Sequence, residues 1–171
     1  MTMPNWVYNT MTVKGKKEEV QRFVDQAKQP GLISSEGEAL SDLSFANFVR
    51  PDESIMGEYW GDEPKGRTIA DAIKNEGNWW YDWNCRNWGV KWDAGDVQVI
   101  DRDDNLVQYS FATPWDKPLP VFIEMSKQFP DLDFTLTYEE EQGWGGEIDA
   151  MGGTFWVQKE WDIPEERYVA I

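Results

Sequence analysis

The sequence predicts an α+β domain in which helices pack on one face of an antiparallel sheet, and three observations carry this. Leu132, Phe134, Leu136 and Tyr138 alternate with Asp133, Thr135, Thr137 and Glu139, the two-residue period of a half-buried strand. Val20, Phe23, Val24 and Ala27 recur at the spacing of one helix face. The segments also follow one another as strand, helix, strand, helical insertion, hairpin, helix, strand and hairpin. At 171 residues a single domain, 1–171, suffices, with an insertion expected at about 51–95. A chain of this length buries roughly 70% of its unfolded surface without disulfides.

The first strand covers Asn5 to Val13, with Val7, Met11 and Val13 on one side and Trp6, Tyr8, Thr10 and Thr12 on the other. Asn5 and Asn9 share the apolar side, so each amide needs a hydrogen-bonding partner once buried. A helix runs from Lys17 to Gln29 and ends at Pro30-Gly31. Leu43 to Val49 reads as a short second strand closed by Pro51. Thr68 caps a helix carrying Ile69, Ala72 and Ile73, with Gly77 as its stop, and Asn78 opens further turns through Trp79, Trp80, Trp83 and Trp88. Val97 to Ile100 and Leu106 to Ala112 flank the polar turn Asp101-Arg102-Asp103-Asp104-Asn105 as a hairpin. Asp116 caps a helix that tolerates Pro118 and Pro120 in its first turn and continues to Phe129, lining its inner face with Leu119, Phe122, Ile123 and Ser126. Two more strands flank Gly152-Gly153.

Composition narrows function more than fold. Thirty-two acidic residues oppose sixteen basic ones, a net charge of −16, with no His and one Cys. Without His there is no imidazole base, no Ser-His or Cys-His pair and no ordinary zinc or copper site. A pI near 4.3 opposes direct binding to nucleic acid or anionic membrane, because each phosphate contact calls for Lys or Arg. The N-terminus has no signal-peptide pattern and no run reaches about 18 apolar residues, so the expectation is a soluble cytoplasmic protein. Cys85 sits among aromatic residues and is expected to be a buried, inert thiol.

Four segments carry a resemblance. They are Met3-Pro4-Asn5-Trp6 with Asn9, Asn87-Trp88-Gly89-Val90-Lys91-Trp92-Asp93, Thr113-Pro114-Trp115-Asp116-Lys117-Pro118, and Phe129-Pro130-Asp131-Leu132 leading to Tyr138-Glu139. In these the chain is similar to the YubB ferredoxin-like family of bacterial plasmids and phages. It departs at Val90, where Thr is expected, and at Pro114-Trp115-Asp116-Lys117, where Ala-Trp-Ser-Pro is expected. The resemblance implies a ferredoxin-like βαββαβ core with insertions, a home in mobile DNA and hence a bacterial host cell. It implies no activity.

Two constellations compete as the working surface. Asp131 to Arg167 holds eleven acids against Lys159 and Arg167. Within it, Glu139, Glu140, Glu141, Glu147, Asp149, Glu160 and Asp162, followed by Glu165 and Glu166, form a row of carboxylates suited to a host protein with a basic surface, with possible mimicry of a phosphate backbone. Read structurally, the same charges keep edge strands from aggregating. The second constellation is the Trp cluster, of which Trp80, Trp83, Trp88, Lys91 and Trp92 are suited to a groove for a nucleotide-like metabolite. Its structural reading is a hydrophobic core that closes the insertion over the sheet.

No catalytic set, cofactor or metal is expected. Asp101 to Asn105 superficially resembles a calcium loop but lacks the Gly at the sixth position and the Glu at the twelfth. Paired carboxylates such as Asp131 and Asp133 alternate with core residues and therefore point to water. The abundance of Trp and of sheet edges leaves a homodimer open.

Overall fold

The computed structural model describes residues 4–29, 41–51 and 80–163. The helix expected from Thr68 to Gly77, most of the insertion, and Glu165 and Glu166 lie outside them. The described elements are β1 (Trp6–Lys14), α1 (Lys17–Ala27), a 3-10 turn (Phe45–Asn47), α2 (Trp80–Asn87), β2 (Gly95–Asp103), β3 (Leu106–Pro114), α3 (Leu119–Gln128), β4 (Asp133–Glu140), β5 (Gly145–Met151) and β6 (Thr154–Trp161). The strands form one sheet in the order β2-β3-β1-β4-β5-β6, antiparallel throughout. The first four strands with α1 and α3 make the βαββαβ arrangement, and the β5–β6 hairpin widens it.

The alternation predicted for β1 and β4 is observed. Val7, Met11 and Val13, and Phe134, Leu136 and Tyr138, all point into one core beneath α1 and α3. Phe23 of α1 is its centre, with ring contacts to Phe48, Phe129, Phe134 and Tyr109. A fully buried aromatic of this kind contributes roughly 1.5–3 kcal/mol of transfer free energy. Asn9 is buried in the same layer, and its Nδ2 donates to Thr113 Oγ1 at 2.9 Å and to the Val7 carbonyl at 3.2 Å. Thr113 Oγ1 passes the chain on by donating to the Asp116 carbonyl at 2.7 Å. This is the tie between elements that a buried amide requires.

Three local expectations are corrected. Leu43 to Val49 contains the 3-10 turn Phe45–Asn47 and no strand: Leu43, Ser44, Phe45 and Ala46 are buried in succession, which no one-sided strand allows. Side-chain bonds hold the turn against the helices. Asn47 Nδ2 donates to the Ala27 carbonyl at 2.9 Å, and Gln26 Nε2 donates to the Asn47 carbonyl at 3.1 Å. The hairpin strands extend into the expected polar turn, leaving Asp104-Asn105 as the loop. Helix α3 starts at Leu119 with Pro118 as its N-cap and no side-chain cap from Asp116, and its buried face is Val121, Phe122, Met125 and Ser126.

Gly152 and Gly153 join β5 to β6 at φ values of 61° and 87°, the pair of left-handed residues that a two-residue hairpin turn demands.

Candidate functional site

The helices leave the second face of the sheet uncovered by any other described element, and the strand register sets its residues in rows. One row runs Ser110, Thr10, Thr137, Glu147 and Lys159 from β3 to β6. The next runs Asp101, Gln108, Thr12, Thr135, Asp149 and Trp156 from β2 to β6. A third holds Asp103, Leu106, Lys14 and Asp133. A fourth, at the opposite end, holds Ala112, Tyr8, Glu139, Gly145 and Trp161. Hydrogen bonds stiffen the middle of this face, with Gln108 Nε2 donating to Thr12 Oγ1 and Thr135 Oγ1 to Asp149 Oδ1, both at 2.9 Å.

The face is therefore hydroxyl-rich along its centre and acidic on both flanks. Asp101, Asp103, Asp133, Glu139, Glu147 and Asp149 stand there against Lys14 and Lys159. Each lysine is registered opposite an acid, Lys14 opposite Asp133 and Lys159 opposite Glu147.

The sequence-predicted acidic row divides on folding. Glu139, Glu147 and Asp149 share the uncovered face, Glu141 is exposed in the β4–β5 turn, and Asp162 is exposed beyond β6. Glu140 departs from expectation: it is buried, on the face of β4 that carries Tyr138, and its Oε2 accepts the Gln142 N–H at 2.8 Å. Glu160 pairs with Gly146 and lies on that same opposite side. Period-two alternation causes the division, since consecutive strand residues cannot present their side chains to one partner. Sequence reading missed Asp101 and Asp103 as members of the surface, because only the register brings β2 beside β3; Asp133, expected to point to water, is registered opposite Lys14 on that face.

The Trp cluster divides as well. Trp88 is fully buried, its Nε1–H donates to the Val49 carbonyl at 2.9 Å, and its ring meets Phe45 and Trp83 edge-on at 5.9 and 5.5 Å. It belongs to the core and offers no face to a ligand. Trp83 is partly buried against that core. Lys91 and Trp92 stay at the surface, with Lys91 Nζ 4.7 Å from the Trp92 ring centre and 5.3 Å from that of Tyr81. Trp80 opens α2.

The segment Asn87 to Asp93 is thus a structural latch. Gly89, at φ 88°, lies so near Pro120 that a Cβ would come within 2.4 Å of its Cδ. Asn84 Nδ2 donates to the Lys91 carbonyl at 2.6 Å. The enclosed carboxylate of Asp93 accepts the N–H groups of Phe45 at 2.6 Å and Ala94 at 2.7 Å, together with the Ser44 hydroxyl. Burial pushes the Asp93 carboxyl above its ordinary range, against the downward pull of those hydrogen bonds.

Cys85, expected to be buried, is exposed on α2, and its thiol is pushed up by partial desolvation and by Asp82. Among the described residues no group of three His, Cys, Asp or Glu is placed to hold a metal ion, and no helix is long and apolar enough to cross a membrane.

These features define a ferredoxin-like α+β protein with a widened sheet. Residues 87–163 match the family model described as the ferredoxin-like domain in Api92-like protein. The crystal structure of protein Api92 from Yersinia pseudotuberculosis is similar over 95% of this chain and 99% of that one, with a TM-score of 0.60 at 11% sequence identity. At that identity the likeness is one of fold. No curated protein matches the sequence.

Proposed function

We propose that this protein acts by binding, and that the uncovered acidic face of its sheet docks a protein partner with a basic surface. The observation that carries the reading is the imbalance on that face, six carboxylates to two lysines at registered positions, on strands braced by cross-strand hydrogen bonds. Carboxylates on alternate strand residues lie roughly 7 Å apart, and on neighbouring strands about 5 Å apart. Such an array attracts a cationic surface from a distance and holds it in register. The absence of His from the whole chain also favours binding over acid-base or nucleophilic chemistry.

The finer reading is a stoichiometric inhibitor in the cytoplasm of a bacterial host. It would occupy the phosphate-binding surface of a defence or nucleic-acid-handling protein with carboxylates in place of phosphates. Support comes from the −16 charge and from the resemblance to the YubB family of plasmids and phages. A small-ligand reading attaches to what the Trp set leaves at the surface, the stack of Lys91 on Tyr81 and Trp92. A nucleotide panel followed by Trp fluorescence separates it from the first reading.

The test is affinity capture from bacterial lysate at low and high salt, with a Glu139→Lys/Glu147→Lys/Asp149→Lys variant as control. One dominant basic partner, retained at low salt and lost both with salt and in the variant, is the expected result. A dominant partner whose capture ignores ionic strength and charge reversal overturns the reading.

A further inference from the structure

At the far end of β4–β6, beyond the start of α3, the described residues leave the end of the sheet open, and there Gly145 and Trp161 from the uncovered face meet Tyr138 and Glu160 from the helix-bearing one. A groove of about 410 Å³ lies there, lined by Lys117, Tyr138, Trp144, Gly145, Glu160, Trp161 and Asp162. Two glycines let its aromatic walls lie close against β5. A Cβ on Gly145 would come within 2.8 Å of the Trp161 ring, and one on Gly146 within 2.5 Å of Tyr138 Oη. Tyr138 and Trp144 meet edge-on at 6.3 Å, so the walls brace each other. Lys117 Nζ sits 5.1 Å from the Tyr138 ring centre and 3.4 Å from Asp116 Oδ1, so the groove's own cation already has its aromatic and acidic partners. Glu160 and Asp162 are the remaining charges of the lining, both exposed carboxylates, Glu160 near the end of β6 and Asp162 just beyond it.

Indoles beside carboxylates in an open groove match one chemistry closely. A guanidinium stacks on aromatic rings and donates to carboxylates in the same plane, whereas a neutral or anionic group satisfies only one half of the lining. We propose that this groove binds an arginine side chain of the partner, stacked against Trp144 and Trp161 and hydrogen-bonded to Glu160 and Asp162. The assignment deepens the binding reading and rests on it for the identity of the partner as a basic protein. It also gives Glu160 and Asp162, which the fold separates from the acidic face, a role in the same complex. The acidic face would supply attraction and the groove an anchored side chain, the division common in interfaces where one buried arginine dominates.

The test is a titration of the intact protein with the blocked tripeptide acetyl-Gly-Arg-Gly-amide, followed by the indole N–H resonances of Trp144 and Trp161. The citrulline peptide, of the same shape without the charge, serves as control. Saturable shifts confined to these two indoles are expected with arginine only. Glu160→Gln and Asp162→Asn, both at exposed positions, should each weaken binding about tenfold, in line with the loss of one charge-assisted pair. Equal binding of the citrulline peptide, or no saturable shift at either indole, overturns the assignment. If the titration is flat while capture of a basic protein still depends on the Glu139, Glu147 and Asp149 charges, the groove inference fails and the binding reading stands. Saturable arginine binding with capture indifferent to those charges retains the groove and removes the acidic-face reading.

Discussion

The Asp93 carboxylate accepts the backbone N–H of Phe45 at 2.6 Å, joining the end of the Trp-rich segment to the 3-10 turn across 48 positions of sequence. That turn packs on α1 through the Ser44 N–H, which donates to the Ala27 carbonyl at 3.1 Å. One enclosed acid therefore ties the segment after α2 to the first helix.

A pH dependence follows from the sign of the Asp93 shift. Burial raises its folded value above the unfolded one, so the folded chain binds the proton more tightly than the unfolded chain does. The stability this group contributes is present below the ordinary carboxylate value of about 3.9 and is lost as pH rises through the folded value. Asp93→Asn removes the titration. Denaturant midpoints measured from acidic to neutral pH should show the difference between wild type and variant moving in the variant's favour as pH rises. The opposite trend would mean that the hydrogen bonds from Ser44, Phe45, Ala46 and Ala94 outweigh burial.

Thr113→Val should cost about 1–3 kcal/mol, because it removes the hydroxyl that accepts from Asn9 and donates to Asp116, leaving buried polar groups short of a partner. Combining it with Asn9→Leu should cost less than the sum of the two single changes. A double-mutant cycle by chemical denaturation measures this coupling, and strict additivity would show that the two side chains act independently.

Trp88→Phe should destabilise by about 2–4 kcal/mol through a cavity and an unpaired Val49 carbonyl. The same variant distinguishes core from ligand groove. Thermal denaturation should register the loss, whereas the response of Trp fluorescence to any nucleotide-like ligand that binds at Trp92 should persist.

Much of the fold was legible in local pattern. The β4 alternation, the α1 stripe and the glycine turn between β5 and β6 each reflect a physical constraint confined to a few neighbouring residues. Leu43 to Val49 was not legible, because a short apolar run is compatible with a strand or with a buried helical turn, and the choice fell to hydrogen bonds with Gln26, Ala27 and Asp93 from elsewhere in the chain. The acidic site was legible only in part. Glu139, Glu147 and Asp149 could be assigned from composition. The exclusion of Glu140 required the strand's orientation, and the inclusion of Asp101 and Asp103 required the sheet order.

The sequence by itself determined the charge of −16, the absence of imidazole chemistry and the periodicities that make an α+β sheet protein. Charge and hydropathy are additive properties of residues, so no partner in space is needed to read them. Tertiary structure alone decided which carboxylates share a face, which Trp is core, and that Tyr138, Trp144, Glu160 and Trp161 meet in one groove. Those outcomes depend on cross-strand register, where a shift of one residue turns every side chain to the opposite side of the sheet.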